Sequence, residues 1–589
     1  MSTGSNMDVL DGAAGSGLRP RPTPQRPRSK TEKPPHAHAA ASLLKRRQSF
    51  SHAGQHQQGY LLESSEITEV SAKHFIIEQL LSSPGSLPPP LSTEQVQRNA
   101  DTMDHSYIKK IPQSLITAPG PDGQLLRKGL LSGATIVFFT PGYEGKRFIY
   151  EHAKELGVST VIIDAAGSWA ERLVAEGVIK KFIALNMEQD SEMVLSDALA
   201  AIHALKDDPL TGTPIGITTF SELSVPLVAR LCNILGLPSS SAEAVDVARN
   251  KHTTRRAMKD AGLATVANSL IKTETDIPEA VKAVGFPAVL KPISGAASLG
   301  VKKVYDEAGL YAGFAEVKAE MENTIVTSGA LVKGSPSEAN LEVAMMNHAP
   351  AAAEKPQHHL PDVVFMLEEY LDGAEVDVDI VLYGGEAQYT VVVDNGPTIE
   401  PYFNETWGLC PSRLPEAQQA ELRELGVASL KACGFTQGVF HVELKYTSRG
   451  PRLIEINARM GGGQVRETHR RVYGVDLVEE TLFACVGIPC RPHKADPPLC
   501  HLAYNYVNAQ RSGRVTDMTA VRKLDALPNV VYAKPLVKEG DVIVGPEEGM
   551  PTWIADIMVS TQEAEQALQT VLHLSESLMI GTEPVKSTS

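Results

Sequence analysis

Several residue types and patterns that mark common protein classes are scarce in this 589-residue chain. Its six cysteines form no C-x-x-C pair and have no zinc-ligand spacing, which argues against a structural zinc site or a disulfide framework. Aromatic residues make up 5%, too few to favour stacking surfaces for single-stranded nucleic acid. The net charge of -15 also argues against a general nucleic-acid binder, because such proteins carry a basic surface.

Long apolar runs are scarce as well. No segment approaches the ~18 consecutive apolar residues of a membrane helix, and the N-terminus has no hydrophobic signal core. Sparse, unpatterned cysteines are typical of a reducing compartment. Together these absences predict a cytoplasmic protein with no membrane partner and no nucleic-acid partner.

The N-terminal region has a composition of its own. Residues 15–50 contain nine Lys or Arg against one acid, and residues 1–60 are rich in Pro, Ser, His and Gly. Such a segment cannot bury a core, so residues 1–125 are expected to be mostly a disordered, basic, Pro-rich tail and linker. Two alternatives stay open: an Arg-rich transit peptide, which the proline density disfavours, and kinase control at Ser49 within RRQSF.

From residue 130 the sequence alternates short apolar runs with helical stretches. ATIVFF, GVSTVIID and PIGITTF have the pattern of buried parallel strands, and helical segments separate them. This alternation predicts a doubly wound α/β domain over residues 130–248.

A glycine-rich stretch, FPAVLKPISGAASLGVKKV (residues 286–304), lies in the next part of the chain. The spacing from Gly295 to Gly300 matches a P-loop, but the Val-Lys that follows is not the Lys-Ser/Thr of that motif. The pattern instead predicts two strands joined by small residues, whose backbone N–H groups can approach phosphate oxygens. Lys291, on the first strand, would reach the nucleotide as a point charge.

The segment MLEEYLDGAEVDVDI (residues 366–380) places Glu368 and Glu375 on either side of a glycine turn. Backbone groups beside Glu368 are expected to border adenine, and Glu375 is a candidate acceptor for two ribose hydroxyls. Exposed acids on an edge strand are the alternative interpretation.

The segment FHVELKYTSRGPRLIEINARMGGG (residues 440–463) predicts two strands joined by a tight turn. Side chains alternate along a strand, so Glu455, Asn457 and Arg459 can share one face while the hairpin brings Glu443 alongside. Two carboxylates and an amide oxygen form an all-oxygen site that suits Mg²⁺ bridging phosphates. Arg459 adds a permanent cation for phosphoryl charge. A salt-bridge cluster without a ligand is the alternative.

These three segments occur in this order in one chain. With them, the sequence resembles the ATP-grasp superfamily of carboxylate–amine ligases. The resemblance covers roughly residues 130–580. Further matches are Lys251 at the start of a basic helix, GGGQVRETHRRVYGVDLVEETL and PYFNETWGLCPSRLP. The last two resemble the carnosine synthases and the bacterial L-amino-acid dipeptide ligases within that superfamily.

The resemblance implies an α/β architecture in which a doubly wound N-terminal domain precedes the α+β ATP-grasp fold. The nucleotide-binding and catalytic module is expected at residues 249–490, with an insertion near residues 325–360. A C-terminal lobe at residues 491–589 would complete the module.

The resemblance also implies a role for each matching residue. The ATP-binding positions are Lys251, Lys291, Ser294, Gly295, Ser298, Gly300, Glu368, Leu371 and Glu375. Glu443, Glu455 and Asn457 would bind two Mg²⁺ or Mn²⁺ ions. Arg459 and Lys291 would be catalytic, with Arg459 stabilising the acyl-phosphate and the tetrahedral intermediate. Arg459, Arg466 and His441 would contact the amino-acid substrates, although His441 fits a packed strand histidine equally well.

The implied activity is ATP-dependent ligation of two small-molecule amino acids, and the resemblance favours β-alanine with L-histidine. The alternatives are a carboxylase or another ATP-grasp ligase with a different acid substrate, and a non-catalytic ATP-binding regulator. A regulator is disfavoured because Arg459 and all the metal carboxylates are present. A homodimer fits the general preference of soluble oligomers for symmetric pairs, but no sequence pattern indicates one.

Overall fold

Four β-sheets organise the part of the chain that the structure describes. A computed structural model of the protein describes residues 108, 110–187, 189, 191–294, 300–323, 364–400, 403–547 and 551–584. Three predicted features lie outside the described residues: most of the tail with Ser49, the loop positions Gly295 and Ser298, and the insertion near residues 325–360.

The first sheet is parallel, as the sequence pattern of this region predicted. The elements here are α1 (Gln113–Ile116), α2 (Gly120–Leu131), β1 (Thr135–Phe139), α3 (Arg147–Glu155), β2 (Ser159–Ala165), α4 (Arg172–Ala175), β3 (Lys181–Leu185), α5 (Ser191–Ala204), β4 (Gly216–Thr218), α6 (Val225–Leu235) and α7 (Ala242–Arg249). The strands pair in the order β3-β2-β1-β4. Ile136 and Phe138 face one apolar core whereas Val137 and Phe139 face another, so both faces of the sheet are covered.

The second sheet is small and antiparallel. Its region contains α8 (Lys251–Asp260), β5 (Asn268–Ile271), α9 (Ile277–Val284), β6 (Ala288–Pro292), β7 (Lys302–Val304), α10 (Glu307–Asn323) and β8 (Phe365–Glu369). The strand order is β5-β8-β6-β7. Leu290 and Leu367 belong to its apolar core. Because side chains alternate along a strand, their neighbours Lys291 and Glu368 lie on the opposite face.

The third sheet is large and is followed by a short fourth one. The elements are β9 (Ala374–Tyr383), β10 (Glu386–Asn395), β11 (Trp407–Cys410), α11 (Glu416–Cys433), β12 (Gly438–Thr447), β13 (Gly450–Asn457), α12 (Val465–Tyr473), α13 (Leu477–Cys485), β14 (His501–Asn508), β15 (Gly513–Asp517), α14 (Thr519–Leu524), β16 (Val530–Pro535), β17 (Val542–Ile543), β18 (Trp553–Thr561), α15 (Ala564–Ser577) and β19 (Gly581–Glu583). Eight strands pair in the order β13-β12-β9-β10-β11-β14-β18-β16, and the short sheet is β17-β15-β19. Strands from both sides of residue 490 therefore share one sheet.

Single 3₁₀ turns complete the described elements. They are Glu144–Lys146, Trp169–Glu171, Leu205–Asp207, Glu222–Ser224 and Glu274–Asp276. A membrane-spanning helix, judged by length and apolar composition, is not found within the described ranges.

The connection from the small sheet to the large sheet depends on Gly373. This residue has φ +87°, in the left-handed region. A Cβ atom added to Gly373 would lie 2.1 Å from the carbonyl oxygen of Tyr446 on β12. Glycine is therefore required both by the backbone angle and by the close approach of another strand.

The substitution Gly373→Ala should therefore be much more destabilising than Gly384→Ala. Gly384 also has a positive φ, +62°, but a Cβ there meets nothing within 4 Å. We expect a loss of about 1 kcal/mol for Gly384→Ala and roughly 3 kcal/mol or more for Gly373→Ala. Urea unfolding followed by circular dichroism measures both losses. Equal losses would show that the approach of Tyr446 does not constrain the connection.

Candidate active site

Acidic side chains concentrate on one face of the large sheet, where β9, β12 and β13 lie side by side. Glu443 on β12 pairs in register with Asp377 on β9 and with Glu455 on β13. Asn457 lies two positions beyond Glu455, on the same face. Residues directly opposite each other on neighbouring strands point to one side, so these four form a continuous surface. We call Asp377, Glu443, Glu455 and Asn457 the acidic floor.

Burial and mutual repulsion make it unfavourable to ionise the carboxylates of the acidic floor together. Asn457 Nδ2 donates a hydrogen bond of 3.1 Å to Glu443 Oε1. Burial and then the charge of Glu455 raise the pKa of Glu443, and burial also raises the pKa of Asp377. A divalent cation would relieve this repulsion, and carboxylate and amide oxygens are the ligands it prefers. The donor set therefore fits the predicted Mg²⁺ or Mn²⁺.

Of the two predicted ATP lysines, Lys251 contacts the acidic floor and Lys291 lies near Lys251. Lys251 Nζ lies 2.8 Å from Glu455 Oε1. Lys251 begins α8 because the Asn250 side chain caps that helix by accepting two backbone N–H groups. Its own backbone N–H donates to the carbonyl of Ile293, just after β6, the strand that carries Lys291. This backbone bond brings Lys251 and Lys291 to one side of the site.

Glu368 has a different environment from the one expected of a residue at the adenine edge. Its side chain is buried, with 3% of the residue exposed. Arg255 donates to both of its oxygens, at 2.7 and 3.3 Å, and Lys291 pairs with it as well. Burial alone would raise the pKa of Glu368, but the charges of Arg255 and Lys291 lower it to about 2. The adenine contact, which would use its backbone, stays a prediction.

Sequence reasoning missed Arg255. This residue lies one helical turn after Lys251 on α8, and the i, i+4 spacing of the two cations was the available signal. Its Nη2 also donates to the carbonyl of Ile454 on β13, at 2.7 Å. Arg255 therefore joins the small sheet to the large one. We call Lys251, Arg255 and Lys291 the cationic wall.

The predicted ribose acid, Glu375, lies at the start of β9. Lys445 Nζ is 3.4 Å from Glu375 Oε2 and 3.5 Å from the carbonyl of Leu371. Burial raises the pKa of Glu375, and the charge of Lys445 opposes this. Ser294 and Gly300 flank the glycine loop, and Gly300 has a left-handed φ of +71°. The nucleotide contacts of these residues remain predictions.

Arg459 lies just beyond β13 and contacts an acid from the first, parallel sheet. Its Nε is 2.9 Å from Glu222 Oε2, and its Nη2 is 3.5 Å from Asn457 Oδ1. Glu222 follows β4 and is 7% exposed. Glu405, in the NETW segment, lies near the floor, where desolvation and the charge of Asp377 raise its pKa. No spacing in the sequence connects either acid with Arg459.

His441 lies on the same face as the acidic floor, and its ring is fixed by contacts with neighbouring side chains. Its Nδ1 lies 2.9 Å from Asp379, whose other oxygen is 2.6 Å from His469 Nε2. His469 Nδ1 is 2.8 Å from the hydroxyl of Tyr389. Burial lowers the pKa of His441, but Asp377 and Asp379 outweigh it and raise that pKa. The ring is thus a fixed part of the sheet face, and its contact with substrate stays a prediction.

Arg466, expected to grip a substrate carboxylate, pairs with a carboxylate of the protein. Its Nε and Nη2 lie 2.6 to 3.0 Å from the two oxygens of Asp476, and its guanidinium lies 5.1 Å from the Phe148 ring. A substrate carboxylate here would have to share or displace the Asp476 pair. The contact of Arg466 with a substrate carboxylate stays a prediction.

Asp476 also belongs to a group with the spacing of a metal site. Ligand atoms of His152, Asp476 and Glu479 all lie within 4.8 Å of one another. Arg466 already pairs with Asp476, and Lys128 Nζ lies 2.7 Å from Glu479. These cations compensate the acids, so the group is an ion-pair network joining α2, α3, α12 and α13.

Fold and site together define the class of protein. Residues 336–468 match the family model described as an ATP-grasp domain, and residues 150–239 match the ATP-grasp N-terminal domain. The crystal structure of an L-amino acid ligase from Bacillus licheniformis matches with a TM-score of 0.60 and 19% identity, over 76% of this chain and 99% of that one. The chain therefore has the ATP-grasp fold, which confirms the resemblance predicted from its motifs.

Curated relatives are similar over part of the chain. Carnosine synthase 1 of Homo sapiens is 29% identical over 392 residues, which cover 64% of this chain and 43% of that protein. Alanine–anticapsin ligase of Bacillus subtilis is 27% identical over 273 residues, covering 46% of this chain and 54% of the ligase. The chain spans less than half the length of the carnosine synthase it matches.

The substitution Glu368→Gln is expected to reduce the free energy of unfolding by roughly 3–5 kcal/mol at pH 7, because two buried cations lose their anion. Glu369→Gln is the matched control. Glu369 pairs with Arg449, whose side chain is 54% exposed, so its loss should cost less than about 1 kcal/mol. Urea titration measures both values. Similar losses for the two variants would contradict the role given to Glu368.

We also expect the difference in unfolding free energy between the parent protein and Glu368→Gln to depend on pH. The folded pKa of Glu368, about 2, lies below its ordinary value of 4.5. Its stabilising contribution is therefore complete above about pH 5 and is lost as the pH falls through the folded pKa. The gap in unfolding free energy between the parent protein and Glu368→Gln should shrink steadily from about pH 5 downward. A gap independent of pH would show that Glu368 is not the titrating group.

Proposed function

We propose that the protein is an ATP-dependent ligase that joins two amino acids through an acyl-phosphate, releasing ADP and phosphate. The observation that carries this proposal is the position of the cationic wall against the acidic floor, with Lys251 and Glu455 in contact at 2.8 Å. Cations suit phosphate oxygens, and the acidic oxygens suit the metal ions that accompany a triphosphate. Similarity to carnosine synthase and to L-amino acid ligase supports amino acids as the substrates.

In the first step, a carboxylate oxygen of one amino acid attacks the γ-phosphorus of ATP. A P–O bond breaks, and ADP leaves with its electron pair. Lys251 and Lys291 hold the phosphates in place and offset their charge, which is most of what phosphoryl transfer requires of a protein. Divalent cations held by Glu443, Glu455 and Asn457 would supply Lewis-acid charge at the phosphate oxygens.

In the second step, the amine nitrogen of the other amino acid attacks the acyl carbonyl. A C–N bond forms, the nitrogen gives a proton to the departing phosphate, and that phosphate leaves with the electrons of the C–O bond. Arg459 lies beside Asn457 and offers a planar cation for the tetrahedral oxygen and the departing phosphate. Glu222 and Glu405 are carboxylates suited to substrate ammonium groups.

The pair that we propose first is β-alanine with L-histidine. Human carnosine synthase 1 matches 64% of this chain, and that similarity is the support for this pair. The similarity to alanine–anticapsin ligase favours a second candidate, ligation that uses an alanine. Few pocket residues separate such specificities, so a matrix of amino acids is the appropriate test.

We expect the purified protein, given Mg²⁺-ATP and a matrix of amino-acid pairs, to release ADP in a pair-dependent way and to form a dipeptide detectable by mass spectrometry. Arg459→Ala should lower the rate by about 10² to 10³, because the transition-state charge loses its cation. Glu386→Gln is the control, since that side chain is 76% exposed and its loss should leave the rate unchanged. ATP binding without turnover on any pair would favour a different acid substrate or a regulator.

Removal of divalent metal is expected to abolish turnover, and added Mg²⁺ or Mn²⁺ should restore it. Glu443→Gln removes one carboxylate of the acidic floor, so the Mg²⁺ concentration for half-maximal rate should rise by at least the ~10-fold that outer-shell changes produce. Metal titrations of the parent protein and the variant measure the shift. An unchanged requirement would remove Glu443 from the metal site.

A further inference from the structure

Lys303, Tyr370 and Glu400 form a polar cluster outside the acidic floor and the cationic wall. Lys303 Nζ lies 3.0 and 2.9 Å from the two oxygens of Glu400. The same ammonium lies 3.6 Å from the centre of the Tyr370 ring. The Tyr370 hydroxyl donates to Glu400 Oε1 at 2.8 Å. Each of the three side chains therefore contacts the other two.

The cluster joins parts of the chain that belong to different sheets. Lys303 is on β7 of the small sheet, and Tyr370 directly follows β8. Glu400 lies in the connection between β10 and β11 of the large sheet. Residues 401 and 402 are outside the described ranges, but Ile399 and Asn404 pair across them through a backbone hydrogen bond of 2.9 Å. Glu400 therefore lies within this backbone bridge, and Glu405 directly follows it.

The far end of this connection is fixed to the large sheet. The Asn404 side chain donates to the carbonyl of Pro551 at 2.9 Å. Trp553 Nε1 and Asn508 Nδ2 both donate to the carbonyl of Glu405, at 3.3 Å each. Glu405 is therefore held by β14 and β18, whereas Glu400 reaches across to β7.

The exposure of the Lys303–Glu400 pair suits a contact that opens and closes. The Lys303 side chain is 11% exposed and that of Glu400 is 35% exposed, so water has access to one side of the pair. Lys302, the neighbouring residue, pairs instead with Glu316, whose side chain is 62% exposed. Lys302 thus provides a matched cation on the same strand whose ion-pair partner, within the described residues, is Glu316.

We propose that Lys303, Tyr370 and Glu400 are positioning residues that clasp β7 of the small sheet to the loop carrying Glu405. The clasp holds the nucleotide side and the amino-acid side of the cleft together while the acyl-phosphate exists. An acyl-phosphate hydrolyses in water, so a cleft that opens early loses it. The part of this proposal that concerns coupling rests on the proposed function, whereas the part that concerns nucleotide release rests on the ATP-grasp fold.

The test compares Lys303→Met, Glu400→Gln and the charge swap Lys303→Glu with Glu400→Lys in the full-length protein. The first measurement is the dissociation rate of tritiated ADP into excess unlabelled ADP. Each single variant should release ADP about 5- to 10-fold faster, the change expected for a partly buried ion pair. The swap should return the rate to within about 2-fold of the parent, and Lys302→Met should not change it.

The second measurement is the ratio of ADP to dipeptide under turnover. This ratio should rise above that of the parent protein in both single variants, because acyl-phosphate escapes to water, and the swap should lower it again. A merely structural role would change stability without this restoration, and thermal unfolding of each variant separates the two.

Single variants that release ADP like Lys302→Met, or a swap that restores nothing, would overturn the clasp. The outcomes also separate this proposal from the proposed function. If the parent protein forms no dipeptide from any pair, yet the single variants release ADP faster and the swap restores the rate, the ligase proposal fails and the clasp stands.

Discussion

The geometry of the cleft depends on the buried ion pairs of Glu368. A carboxylate that is 3% exposed would be costly to bury alone, and it is tolerated because Arg255 and Lys291 both contact it. The dependence is mutual, since two buried cations side by side would repel each other without it. Arg255 also bonds the carbonyl of Ile454 on β13. Through Arg255, the ion pairs of Glu368 therefore fix the small sheet against the large one. They also set the separation between the cationic wall and the acidic floor.

The apolar core of the large sheet determines the arrangement of the acidic floor. Val376, Val378 and Ile380 on β9 are fully buried, and they alternate with Glu375, Asp377 and Asp379 on the other face. A slip of one residue in the pairing of β9 with β12 would move these apolar side chains to the cleft face and place the acids in the apolar core. Packing thus enforces the register that sets Glu443 beside Asp377 and Glu455. The chemistry of the site is obtained from the same alternation that builds the core.

Local patterns in the sequence were sufficient for the parts of the site that lie on one hairpin or one helix end. The short turn between β12 and β13 sets Glu443 opposite Glu455, and a side-chain cap fixes Lys251 at the start of α8. Contacts between distant segments could not be predicted, because no local period encodes them. Arg255 and Glu368 are separated by 113 positions, and Lys303 and Glu400 by 97. Glu222 approaches Arg459 only because the segment after β4 of the first sheet comes near the residues that follow β13.

Exposure to water makes two similar sets of charges behave differently in this fold. At the base of the small sheet, Glu368 is shielded from solvent, so breaking its contacts would leave charges uncompensated in the interior. At β7, the Lys303–Glu400 pair is open to water on one side. When the two side chains separate, their hydration can replace much of the interaction energy that the ion pair loses. The ligase that we propose would need one end of the cleft to stay fixed and the other to open, since it must admit substrates and then exclude water. In the proposed clasp the partly exposed Lys303–Glu400 pair opens and closes, whereas the buried contacts of Glu368 with Arg255 and Lys291 stay fixed.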